Sequence, residues 1–363
     1  MVSSHCLEVR DEQGAERILL TAINHGASVE QLSDMMLTAI TDHVYMNTGH
    51  TLDFHNKAFE TLEQIGDEHR PYVLTSLLPG LGNATRSEEL HSWQSPVNLV
   101  TPLEQAFTSL PQLLSHQNEP VQNESSVDES ALLDQLLSDH PIETISYLTD
   151  ALEKSVSPIR LAQLVALAAA ERIARFHTQN EFRDWITVLH TFTHAHAVHE
   201  SLRRSVTPEL IRGVFHAAMT VYQDRFLNIP SAKRPNVSKG SPPSDPQQLL
   251  ELLDSQQKVE EAATWVMQYL ENNGDMNTLF ATLGHALLRE DAEFHSFQML
   301  EAAFIEYEHW QKEDSELSKH AQETLILAVT RYLAGHAPTS RELPHTVQIA
   351  IRLHRGDHLF DEE

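Results

Sequence analysis

Cysteine is almost absent from this 363-residue chain, which holds a single one, Cys6. That excludes an internal disulfide framework, a Cys-x-x-Cys redox pair and any iron–sulfur or zinc site built from cysteines. Cys6 lies in a polar N-terminal arm, and a frayed arm is a poor seat for a nucleophile. Glycine is scarce too, at 12 residues, which leaves few tight turns. Positive charge is in short supply: 25 Lys and Arg stand against 52 Asp and Glu, a formal charge of −27. Polyphosphate binding needs a concentrated basic face and anionic lipid repels an acidic one, so neither nucleic acid nor a membrane is expected as partner. Long apolar runs are missing. The most apolar stretch, Leu161 to Ala174, is interrupted by Gln163, Glu171 and Arg172 and is too short to span a bilayer. No basic-then-apolar leader precedes it, and the expectation is a cytoplasmic protein. Glycine-rich phosphate loops, the Gly-x-Ser-x-Gly elbow and haem-attachment motifs are absent as well, so no nucleotide or haem cofactor is expected.

What the chain has in quantity is helix signal and histidine. Ser28-Val-Glu-Gln31 has the form of a capping box before Leu32, Met35, Met36 and Ala39. Ser157-Pro158 and Thr207-Pro208 each place a cap before a first-turn proline, followed by apolar residues at core spacing. Long 3.6-residue patterns run through 279–307 and 321–333, and no stretch alternates like a strand. The fold predicted is all-α, an assembly of about a dozen helices. Two polar stretches, 115–130 and 231–246, read as linkers between helical units 1–114, 131–230 and 247–363, expected to pack as one compact body. Gly49-His50-Thr-Leu in the first third is echoed by Gly284-His285-Ala-Leu in the last. The echo suggests related helical units, each turning a histidine toward one central pocket.

The 23 histidines cluster in three places. On a helix through Trp185–Arg203, His190 and His194 lie about 40° apart, the i, i+4 spacing with which two imidazoles can hold one metal. His196 and His199 fall on roughly the opposite side, so one pair faces inward and the other is expected in solvent. His50 and Asp53 share a face, as ligand and supporting carboxylate or as two ligands; His55 sits about 140° from His50. In the last third, His285 and His295 are about 15 Å apart along a straight helix, too far to share an ion unless the helix breaks. Asp291 and His295 have the i, i+4 spacing of a carboxylate–imidazole half-site. Arg289-Glu290-Asp291 reads equally as a solvated ion-paired face.

These same segments carry a family likeness. GHTLDFHNKAFE around His50 resembles the His-Pro-Leu-Ile-His-x-Gly-x-x-x-Glu stretch of questin oxidase-like proteins, whose second histidine falls here on Phe54. Trp185–Thr193 is similar to their Phe-Tyr-Met-His-x-Val-Thr pattern and places that histidine on His190. Their Gly-His-x-x-Lys stretch falls on Gly284-His285 or on His320-Ala-Gln-Glu323, without the lysine. GHTLDFHNKAFE, ARFHTQNEF, HALLREDAEFH and RYLAGHAPT also resemble a bacterial helical domain that accompanies Rieske ferredoxin modules. INHGASVEQL is similar to alkylhydroperoxidase D-like helices, without their redox cysteines. The resemblance implies a helical oxygenase scaffold with histidine-bound non-haem iron, supplied with electrons by a separate ferredoxin-type protein.

Together these expectations describe a metal-dependent oxidoreductase. His50, His190, with His194 at its side, and either His285 or His295 would hold a divalent metal, iron foremost. Asp53, Glu290 and Asp291 would orient the imidazoles or ligate directly. A pocket walled by Phe54, Phe192 and Phe294 would take a small aromatic or hydrophobic substrate. The competing expectation is a non-catalytic helical scaffold whose histidines are structural.

Overall fold

The computed structural model describes residues 2–117, 127–237 and 245–357. Among these residues every regular element is helical, as predicted. The helices of twelve or more residues are α1 (Glu12–Asn24), α2 (Val29–Thr41), α3 (His50–Ile65), α4 (Val100–Gln117), α5 (Pro141–Glu153), α6 (Pro158–Ala174), α7 (Phe182–Arg204), α8 (Pro208–Asp224), α9 (Val259–Glu271), α10 (Met276–Leu288), α11 (Phe294–Trp310), α12 (Glu316–His336) and α13 (Leu343–His354). Shorter helical turns join several of them. No described helix is long and apolar enough to cross a membrane.

The local signals act where they were read. Ser28 accepts from the Gln31 amide (3.2 Å) while the Gln31 side chain accepts from the Ser28 amide (2.9 Å), closing the capping box that starts α2. Thr207 accepts from the Leu210 amide (3.1 Å) and Pro208 fills the first turn of α8.

Two compact units form: residues 1–169 with 190–227, and residues 170–189 with 228–363. The chain passes between them inside α6, inside α7 and again between Leu227 and Asn228. The polar stretches lie within the units: 115–130 in the first, 231–246 in the second, with 118–126 and 238–244 outside the described residues.

In the first unit α8 is the central packing element. Leu210, Ile211, Val214, Phe215, Met219 and Val221 are all buried, and α2, α4 and α5 pack on it. Helix α3 packs on α2 and on the short turn that precedes it. In the second unit α12 takes the central place, with α9, α10 and α11 against it and every residue from Thr324 to Ala334 buried. That run includes Arg331 at 0% exposed. Its guanidinium pairs with Glu260 (2.8 Å) and donates to the Phe176 carbonyl (2.8 Å), which is what lets a charge survive in the core.

Candidate metal centre

Four of the five residues before α3 are in the left-handed region. Tyr45 (φ 42°), Asn47 (49°), Thr48 (53°) and Gly49 (89°) are interrupted only by Met46. For a β-branched residue such as Thr48 this conformation is costly, and it persists only where surrounding bonds enforce it. They do so here. The Asn47 amide donates to the Thr85 carbonyl (2.8 Å), the Ser87 amide to the Val44 carbonyl (3.0 Å), and the Ser87 hydroxyl to the Tyr45 carbonyl (3.0 Å).

The turn delivers His50 as the first residue of α3. Its Nδ1–H points to the Asn47 carbonyl (3.0 Å), to which the Thr48 hydroxyl also donates (2.7 Å). That bond fixes the tautomer and leaves Nε2 as the lone-pair nitrogen, the arrangement in which imidazoles bind metals. Gly49 permits the geometry twice over. Its φ is left-handed, and a Cβ there would lie 2.9 Å from both His194 Cβ and Tyr45 Cε2. The missing side chain lets α7 approach.

From α7, His190 comes beside His50. The rings meet edge-on at 4.4 Å between centroids, and one ring nitrogen of each lies within 4.8 Å of the other. Two metal–nitrogen bonds of about 2 Å at one ion place their nitrogens about 3–4 Å apart, a separation of the same order as the limit this pair meets. A cleft of about 280 Å³ opens at His50, lined by Asn47, Thr51, Phe54, Leu77 and Leu81. Phe54 is 42% exposed and stands 5.8 Å from the His50 ring.

His194 does not join this pair. One turn further along α7 it lies beneath Gly49, edge-on to Tyr45 at 4.9 Å. Burial holds its pKa down at about 4, against the opposing pull of the Gly49 and Gly213 carbonyls. His196 and His199, one pair of which should have been solvated, are buried as well, because every residue from Thr191 to His199 is covered. His55 is also buried, on Phe59 (4.7 Å), and its pKa falls to about 3 through burial and the nearby Arg204 charge. Asp53 is 2% exposed in the first turn of α3. The Tyr45 phenol is pushed up by burial first and then by Asp224, with Asp53 adding less.

A second pair that the sequence did not single out is Glu60 with His196, again within 4.8 Å. Glu60 already accepts from Asn56 (2.7 Å) and Lys57 (2.8 Å), which compensates its charge without a metal.

The remaining nominated residues belong to the second unit, and their surroundings correct several expectations. The pattern read as one helix over 279–307 is two, since α10 ends at Leu288 and α11 begins at Phe294. Asp291 therefore has no i, i+4 relation to His295. Its carboxylate accepts from the Leu343 (2.7 Å) and Glu342 (2.9 Å) amides, capping α13, and these bonds hold its pKa down. Glu290 is occupied by Arg341 (2.6 Å) and by the Thr339 amide (2.7 Å); burial alone would raise its pKa, but these partners hold it low. The carboxylate beside His295 is Glu293, bonded to Nδ1, with the Phe294 ring 3.8 Å away. His285 is exposed in the last turn of α10. Gly284 has open space where a Cβ would stand, so the Gly-His echo repeats letters and not structure. Of the phenylalanines expected to wall a pocket, Phe54 lines the cleft, Phe192 is fully buried and Phe294 is an exposed side chain of α11.

His320 shows what the sequence missed most completely. Its partner is Glu171, at 2.7 Å, a residue met in the sequence only as an interruption of an apolar run. Arg234 (2.7 Å), Arg175 (3.0 Å) and the Thr324 hydroxyl (2.8 Å) complete the cluster. Burial alone would raise the Glu171 carboxyl, but His320, Arg234 and Arg175 bring it to about 2.

Compared with known proteins, the chain matches no protein-family model, no curated protein and no solved structure.

Proposed function

We propose that His50 and His190 hold a divalent transition metal, iron foremost, and that the chain is an oxidoreductase acting on a small aromatic or hydrophobic molecule. The observation that supports this most is the meeting of the two imidazoles at the cleft, with His50 set by the Asn47 carbonyl. Imidazole is the commonest protein ligand for such metals, and a carbonyl on the far ring nitrogen is its usual support. A metal bound there would supply redox and Lewis-acid chemistry at the cleft mouth. The chain's own part is to orient His50 through the strained turn, to bring His190 to it from α7, and to offer Phe54, Leu77 and Leu81 as an apolar wall. Sequence expectation adds His285 or His295 as a third ligand and a ferredoxin-type protein as electron donor; the proposal rests on the pair alone.

Elemental analysis of the purified chain tests it, alongside His50→Ala and His190→Ala. Stoichiometric iron, manganese or zinc that both substitutions remove is the expected result. A folded chain that stays metal-free after incubation with Fe²⁺ would overturn the proposal and leave the scaffold alternative standing.

A further inference from the structure

The N-terminal arm forms a short helix, Val2–Glu8, that packs on α1, on α2 and on the turn Leu78–Gly82. Gly80 and Leu81 of that turn line the cleft at His50, so the helix bears on one wall of the cleft. Its last residue, Glu8, is held by two partners. Arg86 donates to one carboxylate oxygen (3.1 Å) and to the Glu8 carbonyl (3.3 Å), while His43 Nε2 donates to the other carboxylate oxygen (2.8 Å). The second nitrogen of His43, Nδ1, donates to Glu88 (2.6 Å). A neutral imidazole carries one N–H and a carboxylate only accepts, so a ring bonded to carboxylates through both nitrogens is an imidazolium. Glu88 foremost, with Glu8, raises the His43 pKa above the usual histidine value; burial opposes them, and Arg86 opposes them least. Asp42, its neighbour in the chain, pairs with Arg212 (3.3 Å). The His43 side chain is 18% exposed, which leaves water a route to its proton.

We propose that His43 is a proton-operated clasp: charged, it fastens the N-terminal helix to the 86–88 segment beside the His50 turn, and neutral, it lets the helix go. The loss falls on Glu8. A ring with one N–H keeps the better-held carboxylate, and Glu88 is that one. It sits at the shorter distance, it also accepts from the Val44 amide (2.9 Å), and its side chain is 22% exposed against 52% for Glu8. Glu8 then meets a lone pair and keeps Arg86 alone. A seven-residue helix is too short to persist undocked, so release unravels it. Because the folded value lies above the unfolded one of about 6.5, the contribution of His43 is whole below that pH and drains away as pH rises through the folded value. The clasp requires nothing bound at His50 and stands apart from the metal proposal.

Hydrogen exchange on the full chain tests this. The amides of Val9, Arg10 and Asp11 are bonded back to the carbonyls of His5, Leu7 and Cys6 (3.1, 3.1 and 2.7 Å) and report the helix. With each rate divided by its intrinsic rate, protection in the wild type should fall at least about fivefold between about pH 6 and about pH 9. His43→Gln, which offers an amide donor but no titrating charge, should show the lower protection at both ends of that range. Glu8→Gln should do the same, while the buried amides of α8 keep their protection in every variant. Wild-type protection that stays level across this range would overturn the proposal, and so would a fall that His43→Gln reproduces.

Discussion

Gly49→Ala should be one of the most damaging small substitutions in the chain, and the structure supports a magnitude. An L-residue in the left-handed region costs about 1–2 kcal/mol relative to glycine. The new methyl would stand 2.9 Å from His194 Cβ and from Tyr45 Cε2, closer than carbon atoms pack. Neither neighbour can swing aside, since Tyr45 and His194 are 8% and 2% exposed. Overpacking of that kind adds about 1–3 kcal/mol, for a total of roughly 2–5 kcal/mol. Gly284→Ala is the natural control. No atom lies within 4 Å of its Cβ position, and in a helix interior the change should stabilise by about 0.5–1 kcal/mol. Urea unfolding measures both, with the m value compared between variants because two compact units need not unfold together. On the proposed metal site, occupancy should fall in Gly49→Ala and stay unchanged in Gly284→Ala. Equal shifts in the same direction, or a cost below about 1 kcal/mol at Gly49, would refute the reasoning.

Acid should loosen the first unit well above the usual carboxylate range. His194 and His55 are held near 4 and 3, and burial keeps His216 well below its ordinary value. A depressed histidine stabilises fully above its unfolded value of about 6.5, and that contribution drains away as pH falls toward the folded value. Each costs about 1.4 kcal/mol per pH unit in that window, so the stability of His194→Gln, plotted from pH 6.5 to 4.5, should have the shallower slope. Parallel plots would refute the assignment. Glu171→Gln should cost about 3–5 kcal/mol near neutral pH by leaving Arg234, Arg175 and His320 around an uncharged amide. In the wild type this stabilisation is present above about pH 4.5 and is lost only as pH falls toward the folded value near 2. A variant that unfolds at the wild-type urea concentration would show the cluster to be dispensable.

Local signals were the legible part of the fold. The Ser28 capping box, the Pro158 and Pro208 helix starts and the absence of strand alternation depend on neighbours within four residues, and they survive unchanged in the structure. The 279–307 pattern failed for a related reason. Periodicity continues in phase across 289–293, but Asp291 and Glu293 each cap a new helix, and capping carboxylates resemble surface charge until their amide partners are known. Helical spacing joined His190 to His194 on one face, yet a single turn of rise separates the neighbourhood of His50 from that of Tyr45. The turn that aims His50 had a signal that was not taken up: Asn47-Thr-Gly49 holds two of the residues that tolerate positive φ. Glu171 with Arg234 and His320 had none, because 63 residues separate the first two and no local spacing encodes such a contact.

The complete burial of α7 from Thr191 to His199 bears on how the segment can vary. An ordinary surface helix tolerates exchange on its outer side, so its record of accepted substitutions rises and falls every three to four residues. Here that rhythm should vanish. Histidine, threonine and alanine positions would all resist change, each for the volume and polar atoms it brings to a filled space. High constraint along this segment is therefore no guide to which of its histidines does chemistry; of the four, His190 alone is not fully buried, at the point where the enclosure begins.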